Sequence, residues 1–538
     1  MDAHRALAHH LRRLGVDHLF GLIGEANMFV ADAFFATGGT YVAHPREDGA
    51  VLAAMGYAYA TDGLGVATVT HGPGLTNTVT ALTEAARNHV PLLLLVGDTD
   101  PSVSGQLQDI DQHLVSLPTG CGFVPLRRAD RLAEDLGDAV RRCLGDRRPV
   151  LLNLPVDVLA GNAATDGPSL PVAPRPTTPD DDALDAAVGV AASANRPLVL
   201  AGRGVVSAGA RRPVLELAHR LGAPVATTLQ AKGLFAGDDG DLGVLGTLAS
   251  PLALDVAGDA DCLLTFGASL NRYTTDQGTL LGGKKVVQVD TDPAAFDRWF
   301  PADVRVLGDA AAAATEMTRW LQQVDQPPSG FRSPALTERI IDQDASKEFD
   351  DASTDITVDL RSATLALDTL LPWDRDVVTD VGRYVMAPLR FLSVTYPSSL
   401  FAPLGFGAVG MGLGTAIGVA VARPDTPTVA AIGDGGLMMS LAELHTAVRY
   451  DLDLIVVLYN DGSYSAEYHH FTHAGMDPGL SLLPWPDFAP LAEAMGCRAV
   501  TVRRLDDLKA AGRAIEERTT PLVIDLRIDP AIKIGFYD

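Results

Sequence analysis

Two hard oxygen donors stand at the ends of neighbouring apolar runs in the last third of the chain. Asp434 follows Thr428-Val429-Ala430-Ala431-Ile432-Gly433, and Asn460 closes the run Leu454-Ile455-Val456-Val457-Leu458-Tyr459. A carboxylate and an amide oxygen suit Mg²⁺ or Ca²⁺. Gly435 and Gly436, next to the carboxylate, let backbone N–H groups come close to a phosphate. A cation held by few protein oxygens completes its shell with water and phosphate oxygens, so the pattern predicts a metal-bound diphosphate. Gly-Asp-Gly is equally the sequence of a plain tight turn, and the tripeptide alone does not choose between them.

The positioning elements are legible. Both runs are continuously apolar, as parallel strands covered on two faces are. Between them, Ser440-Leu441-Ala442-Glu443 has the pattern of a capping box opening a helix, with Leu441, Leu444 and Val448 on one face. A strand–helix–strand unit sets Asp434 and Asn460 at the carboxyl ends of adjacent strands, where open α/β sheets bind ligands. The first part of the chain alternates in the same way, with strands expected at Val16–Phe20, Tyr41–Ala43, Val66–Thr70, Leu92–Val96 and Val150–Asn153. Polar residues follow three of these regions: Arg46-Glu47-Asp48-Gly49-Ala50, Thr70-His71-Gly72-Pro73-Gly74-Leu75-Thr76-Asn77, and Asp109-Ile110-Asp111-Gln112-His113. Each also has an ordinary reading: an acid favourable to a helix dipole, a satisfied histidine at a strand end, and a solvated loop.

At 538 residues with 47% hydrophobic content, the chain is too long for one core, and two to four domains are expected. A net charge of −25 argues against nucleic-acid or anionic-membrane binding, since both need a basic face. The four cysteines, Cys121, Cys143, Cys262 and Cys497, are scattered without metal-ligand or redox spacing and read as reduced core residues. Met1-Asp2-Ala3-His4-Arg5 opens straight into a helical pattern with no signal-peptide core, and no apolar run is long enough to span a membrane. A soluble, cytoplasmic protein is expected.

Asn460 follows Asp434 by 26 residues and begins Asn460-Asp461-Gly462. This resembles the signature of the thiamine diphosphate (ThDP) enzymes, Gly-Asp-Gly with Asn about two dozen residues later. The resemblance implies that Asp434 and Asn460 bind Mg²⁺ through side chains and Gly462 through its carbonyl, while Gly435 and Gly436 donate N–H groups to the diphosphate. Glu47 precedes Met55-Gly56-Tyr57-Ala58 as the family's glutamate precedes its Met-Ala-x-Gly-Tyr-Ala. That glutamate hydrogen-bonds the pyrimidine N1′ and favours the imino tautomer at N4′, which then takes the C2 proton intramolecularly. Thr379-Asp380-Val381-Gly382 resembles the family's diphosphate-contacting turn, although Arg383-Tyr384-Val385 follows where acetohydroxyacid synthases continue Gln-His-Gln. In Gly405-Phe406-Gly407-Ala408-Val409-Gly410, the resemblance makes Gly407 a carbonyl partner for N4′ and Val409 the apolar wedge between the cofactor rings. Ser463 to Phe471, with Tyr464 as a cofactor contact, is expected over the thiazolium, and the cluster His469, His470 and His473 is read as a mobile lid.

His71 stands where acetohydroxyacid synthases carry Ser and resembles the histidine of benzoylformate decarboxylase, implying proton transfer. Ile110-Asp111-Gln112 is similar to a stretch of benzaldehyde lyase, implying a hydrogen bond from Gln112 to substrate, with His113 beside it. Glu25 lies where pyruvate decarboxylases carry an active-site Asp, although Ile23 stands in place of the family's usual Pro and a helix-start acid explains it as well; Glu467 is offset by one residue from their catalytic Glu.

The resemblance covers nearly the whole chain and implies three doubly wound, parallel-sheet α/β domains: a pyrimidine-binding domain over 1–165, a central Rossmann-like domain over 183–323, and a diphosphate-binding domain over 359–538. Linkers are expected at Gly167–Asp182 and about Asp325–Val358. Gly202-Arg203-Gly204 and Asp290-Thr291-Asp292-Pro293 sit where a nucleotide crevice would be, but the full dinucleotide fingerprint is missing; FAD is allowed there and not favoured. The implied activity is a ThDP- and Mg²⁺-dependent, acetolactate synthase-like carboligase or decarboxylase acting on 2-oxo acids or acyloins through an enamine. Aldehydes and ketones are the other implied substrates. Plain decarboxylation or aldehyde lysis is the first alternative, and a non-catalytic regulatory or scaffold subunit the second. In such enzymes the pyrimidine-binding domain of one subunit meets the diphosphate-binding domain of another, so a homodimer is the expected minimum unit and a homotetramer the expected assembly.

Overall fold

The computed structural model describes residues 1–103, 105–167 and 177–534. Most of the proline-rich stretch expected as the first linker lies outside them. The described chain forms three six-stranded sheets, each wholly parallel. The first contains β1 (His18–Gly21), β2 (Thr40–Ala43), β3 (Gly65–Val69), β4 (Leu92–Asp98), β5 (Gly122–Pro125) and β6 (Pro149–Pro155), in the order β2-β1-β3-β4-β6-β5. The second contains β7 (Pro197–Ala201), β8 (Val225–Thr227), β9 (Asp241–Val244), β10 (Cys262–Phe266), β11 (Lys285–Asp290) and β12 (Val304–Leu307), ordered β12-β11-β10-β7-β8-β9. The third contains β13 (Asp376–Thr379), β14 (Leu400–Phe401), β15 (Thr428–Gly433), β16 (Leu454–Asn460), β17 (Arg498–Val502) and β18 (Leu522–Arg527), ordered β14-β13-β15-β16-β18-β17.

The central strands are the unbroken apolar runs of the sequence. Every residue of β15 and β16 is buried, as helices on both sheet faces require. The strands that periodicity did not reveal, including β5, β9, β14 and β17, are short edge strands with weaker patterns.

The first and third sheets share a core. The helix Glu47–Thr61 lies against the helix Gly412–Ala422 so closely that backbones touch. A Cβ on Gly56 would sit 2.2 Å from the Thr415 carbonyl oxygen, and one on Gly418 would sit 1.9 Å from that of Ala53. The glycines therefore set the helix separation, which larger residues would widen.

Two sequence expectations change. Ser440–Glu443 is no capping box: a helix runs from Asp434 to Ser440 and a second from Glu443 to Arg449. Ser440 Oγ donates back to the Gly436 carbonyl, and Glu443 Oε2 sits 2.9 Å from His44 Nδ1 of the first domain. A buried interdomain partner outcompetes the local cap. The stretch from Asp325 to Val358 is also more than a linker. It carries the helix Pro334–Ile341, capped by Ser333, and buries Leu336 against the second sheet's core.

Candidate cofactor site

The third sheet reverses its winding between β13 and β15, and the polar residues gather at the carboxyl ends of β13, β15 and β16. Asp434 begins its helix directly after β15 and is 3% exposed. Its Oδ1 accepts the Gly435 N–H and its Oδ2 the Gly462 N–H, each at 2.7 Å. Burial, with Asp461 and Asp525 nearby, pushes its carboxyl up to about 7. Asp461 is raised to about 6 by burial as well. Burial disfavours the charged form of both acids, and a divalent cation beside them would favour it.

Asn460 ends β16 and is 2% exposed. Its Nδ2 donates to Asp525 Oδ1 of β18 at 2.8 Å, which fixes the amide orientation and leaves Oδ1 as the donor-atom face. Gly462 has φ +66°, the left-handed region that favours glycine, and its carbonyl accepts the Leu483 N–H at 2.7 Å with its second lone pair uncommitted by that bond. Among the described residues no three His, Cys, Asp or Glu side chains form a metal cluster. The donor set here needs only one carboxylate, one amide oxygen and one carbonyl, and it fits Mg²⁺ that takes its remaining ligands from water and phosphate.

Both glycines after Asp434 are sterically required. A Cβ on Gly435 would lie 2.6 Å from the Tyr464 ring, and one on Gly436 would lie 2.5 Å from Asp380 Oδ2. Tyr464 thus covers the start of the helix, just ahead of the helix Ser465–His473. Asp380, just beyond β13, is fully buried and accepts N–H groups from Val381, Gly410 and Met411 at 2.7–3.2 Å. It ties the loop of Gly407 and Val409 to the turn of Gly382. Gly407 is exposed at φ +74°, and Val409 is half-buried. Asp380 was read from the sequence only as part of the turn ending at Gly382, and Asp525 was not singled out. The available signal for each was an acid inside or at the end of an apolar strand.

In the first domain, Glu47 begins its helix half-buried and Oε2 accepts from Asn77 Nδ2 at 3.0 Å. Asn77 belongs to the Gly-Pro-Gly turn, so two separately noted motifs meet. His71 is 9% exposed with Nδ1 3.2 Å from Thr70 Oγ1. Gln112 is buried: its Nε2 donates to the Gly97 carbonyl at 2.8 Å and its Oε1 accepts from Asn153 at 2.9 Å. The amide braces β4 against β6. His113, Glu25 and Glu467 are exposed, and His113 lies beside Phe123. His469 packs edge-on against Tyr468.

In the central domain, the glycines of Gly202-Arg203-Gly204 serve packing. A Cβ on Gly202 would meet the Gly267 carbonyl at 2.2 Å. Arg203 reaches out of the domain to stack 4.8 Å over Tyr59.

Comparison with known proteins bears on the chain as a whole. Three family models match: the thiamine pyrophosphate enzyme N-terminal TPP binding domain over residues 1–115, the central domain over 184–317, and the C-terminal TPP binding domain over 380–526. The acetolactate synthase large subunit of Parasynechococcus marenigrum is 31% identical, aligning 97% of this chain with 87% of its own length. A probable 2-ketoarginine decarboxylase of Pseudomonas aeruginosa is 30% identical over 98% of this chain and 94% of its own. The sulfoacetaldehyde acetyltransferase of Rhodobacter capsulatus is 30% identical over 95% and 91%. An X-ray structure from Mycobacterium smegmatis, of a protein assigned to the thiamin diphosphate-dependent enzymes, shares the fold with a TM-score of 0.80 at 23% identity, covering 98% of this chain. With all three domain models in order along one chain, the protein belongs to the thiamine pyrophosphate enzyme family.

Proposed function

We propose that the protein is a ThDP- and Mg²⁺-dependent carboligase of the acetolactate synthase type, acting on 2-oxo acids or acyloins. The observation that carries this is the pairing of Asp434 with Asn460, whose amide Asp525 orients, at adjacent strand ends. Asp434, Asn460 and the Gly462 carbonyl would hold Mg²⁺, with the Gly435 and Gly436 N–H groups and the turn at Gly382 facing the diphosphate. Glu47 would hold a proton at the pyrimidine N1′, Gly407 would accept from N4′, and Val409 would support the ring from below. Tyr464 would close over the site. When bound, ThDP supplies the electron sink for making or breaking a bond beside a carbonyl.

Carboligation is favoured by the synthase-like Gly-Pro-Gly turn. His71 favours a second reading, decarboxylation without ligation, because a buried imidazole at the strand end is suited to delivering a proton. Glu47 and the metal cage would belong to different subunits, which makes a homodimer the minimum active unit and a homotetramer the proposed assembly. The test is reconstitution with ThDP and Mg²⁺ followed by a 2-oxo acid panel, scored for CO₂ and for acyloin with and without an acceptor aldehyde. Acyloin formation supports the ligase reading; CO₂ with aldehyde alone selects the decarboxylase; no ThDP binding overturns both.

A further inference from the structure

We propose that Glu84 is a positioning residue: from the first domain, it fixes the third-domain loop of its own chain that presents Gly407 and Val409. What that loop serves rests on the cofactor reading above; that Glu84 holds it does not. Glu84 lies in the helix Val79–Arg87 and is 0% exposed. A carboxylate so deeply buried is costly unless every oxygen is bonded. Here Oε1 accepts the Gly405 N–H at 2.9 Å together with the Asn88 amide, and Oε2 accepts the Phe406 N–H at 2.6 Å. Arg87, three residues on in the same helix, stacks 4.6 Å over the Phe406 ring and reaches the Gly405 carbonyl at 3.4 Å. The loop backbone lies directly on this helix: a Cβ at Gly405 would be 2.8 Å from Asn88 Nδ2 and 3.0 Å from Arg87 Cβ.

Asp380 grips the far end of the loop through Gly410 and Met411. Between the two carboxylates, Gly407 is exposed and a Cβ there would meet nothing within 4 Å. At Gly407 the loop thus lacks side-chain packing, while Ala408 rests on the core shared by the first and third sheets, and the end clamps add the backbone bonds that fix the loop's height. Charge-assisted bonds to successive backbone N–H groups are well suited to this, since they fix both height and direction. The segment that carries Glu84 also carries Asn77, seven residues earlier, whose amide donates to Glu47. One short stretch therefore braces the acid and, separately, the wedge loop. A displacement of about 1 Å in such a loop costs on the order of a hundredfold in rate.

The test is Glu84→Gln in the full chain, which keeps volume while replacing the charge-assisted acceptor. In the cofactor-free protein, backbone amide exchange in peptides covering 405–411 should rise about tenfold or more, the loss expected for bonds to a charged group. Peptides covering 434–436 and 460–463 should exchange as in wild type. With ThDP and Mg²⁺ added, cofactor affinity should change less than about threefold, while deuterium exchange at the cofactor C2 slows by at least about tenfold. Rescue of both exchange rates by Glu84→Asp is not expected, because the shorter arm does not span both N–H groups. Should Glu84→Gln fail to fold, Arg87→Met removes the exposed half of the same clamp and should raise exchange over 405–411 in the same direction. Wild-type amide exchange over 405–411 in the folded variants, or wild-type C2 exchange in a variant that binds ThDP, overturns the proposal. Failure of the wild-type protein to bind ThDP would instead count against the cofactor reading, and the cofactor-free exchange arm would still decide the clamp.

Discussion

Asn460 shows how much one residue owes to another far away in sequence. Its side chain could present either end of the amide to a cation, and only the oxygen end is useful; Asp525 decides by taking the Nδ2 hydrogen. Asp525→Ala should therefore weaken Mg²⁺-dependent ThDP binding by about 10–100-fold without touching any direct ligand, measured by titration of the cofactor at fixed Mg²⁺. Glu47→Gln should leave that affinity nearly unchanged and lower turnover by about 100-fold or more, because the amide cannot hold the N1′ proton as the acid does. The placement of Asp434 and Asn460 at adjacent strand ends was legible because apolar runs and their spacing survive in a linear sequence. Asp525 was not, since its partner lies 65 residues away and it is surrounded by Leu522, Val523, Ile524 and Leu526. The partners of Gln112 were hidden for the complementary reason: nothing local in Ile-Asp-Gln says that β4 and Asn153 will each bond one end of its amide.

At the scale of elements, two features govern the site, and both resist local reading. The turn after β13 is held by Asp380, which burial raises to about 6 from an ordinary 3.8. A carboxyl raised on folding binds more protons in the native than in the unfolded state between these values. Its contribution to stability is therefore largest at low pH and falls as pH rises from about 4 to about 6, then stays level. Asp380→Asn removes this dependence. The stability difference between wild type and variant, from denaturant titrations, should change across that interval and be flat above it. The second feature is the glycine contact between the helices Glu47–Thr61 and Gly412–Ala422. Gly418→Ala puts a methyl group 1.9 Å from the Ala53 carbonyl oxygen, so the helices must separate. The expected cost is about 1–3 kcal/mol with a lowered Tm, and the start of the Glu47 helix should shift with it. The sequence showed small residues on both helices, but not that they face each other. The strand runs were easier, because a doubly covered parallel strand leaves a continuous apolar stretch, whereas short edge strands such as β5 and β17 leave little.

For the whole molecule, the decisive question is which chain's Glu47 serves which chain's metal cage. Within one chain the first and third domains share a core, joined by the His44–Glu443 pair and the clamp at Glu84. If the site is built across two subunits, this intrachain junction is a scaffold that relates two different sites, and neither site is complete in a monomer. Complementation separates the arrangements. Glu47→Gln and Asp434→Asn chains, each inactive alone, are unfolded together and refolded as an equal mixture. In a mixed dimer with shared sites, one site collects both substitutions and the other collects neither. With random pairing, half of the dimers are mixed and each carries one intact site, so activity should return to about a quarter of the wild-type level. If each chain completed its own site, every site in the mixture would carry one substitution and no activity would return. Recovery near a quarter would also show that the intact site works beside a defective one, since strict alternation between sites would hold the mixture well below that level.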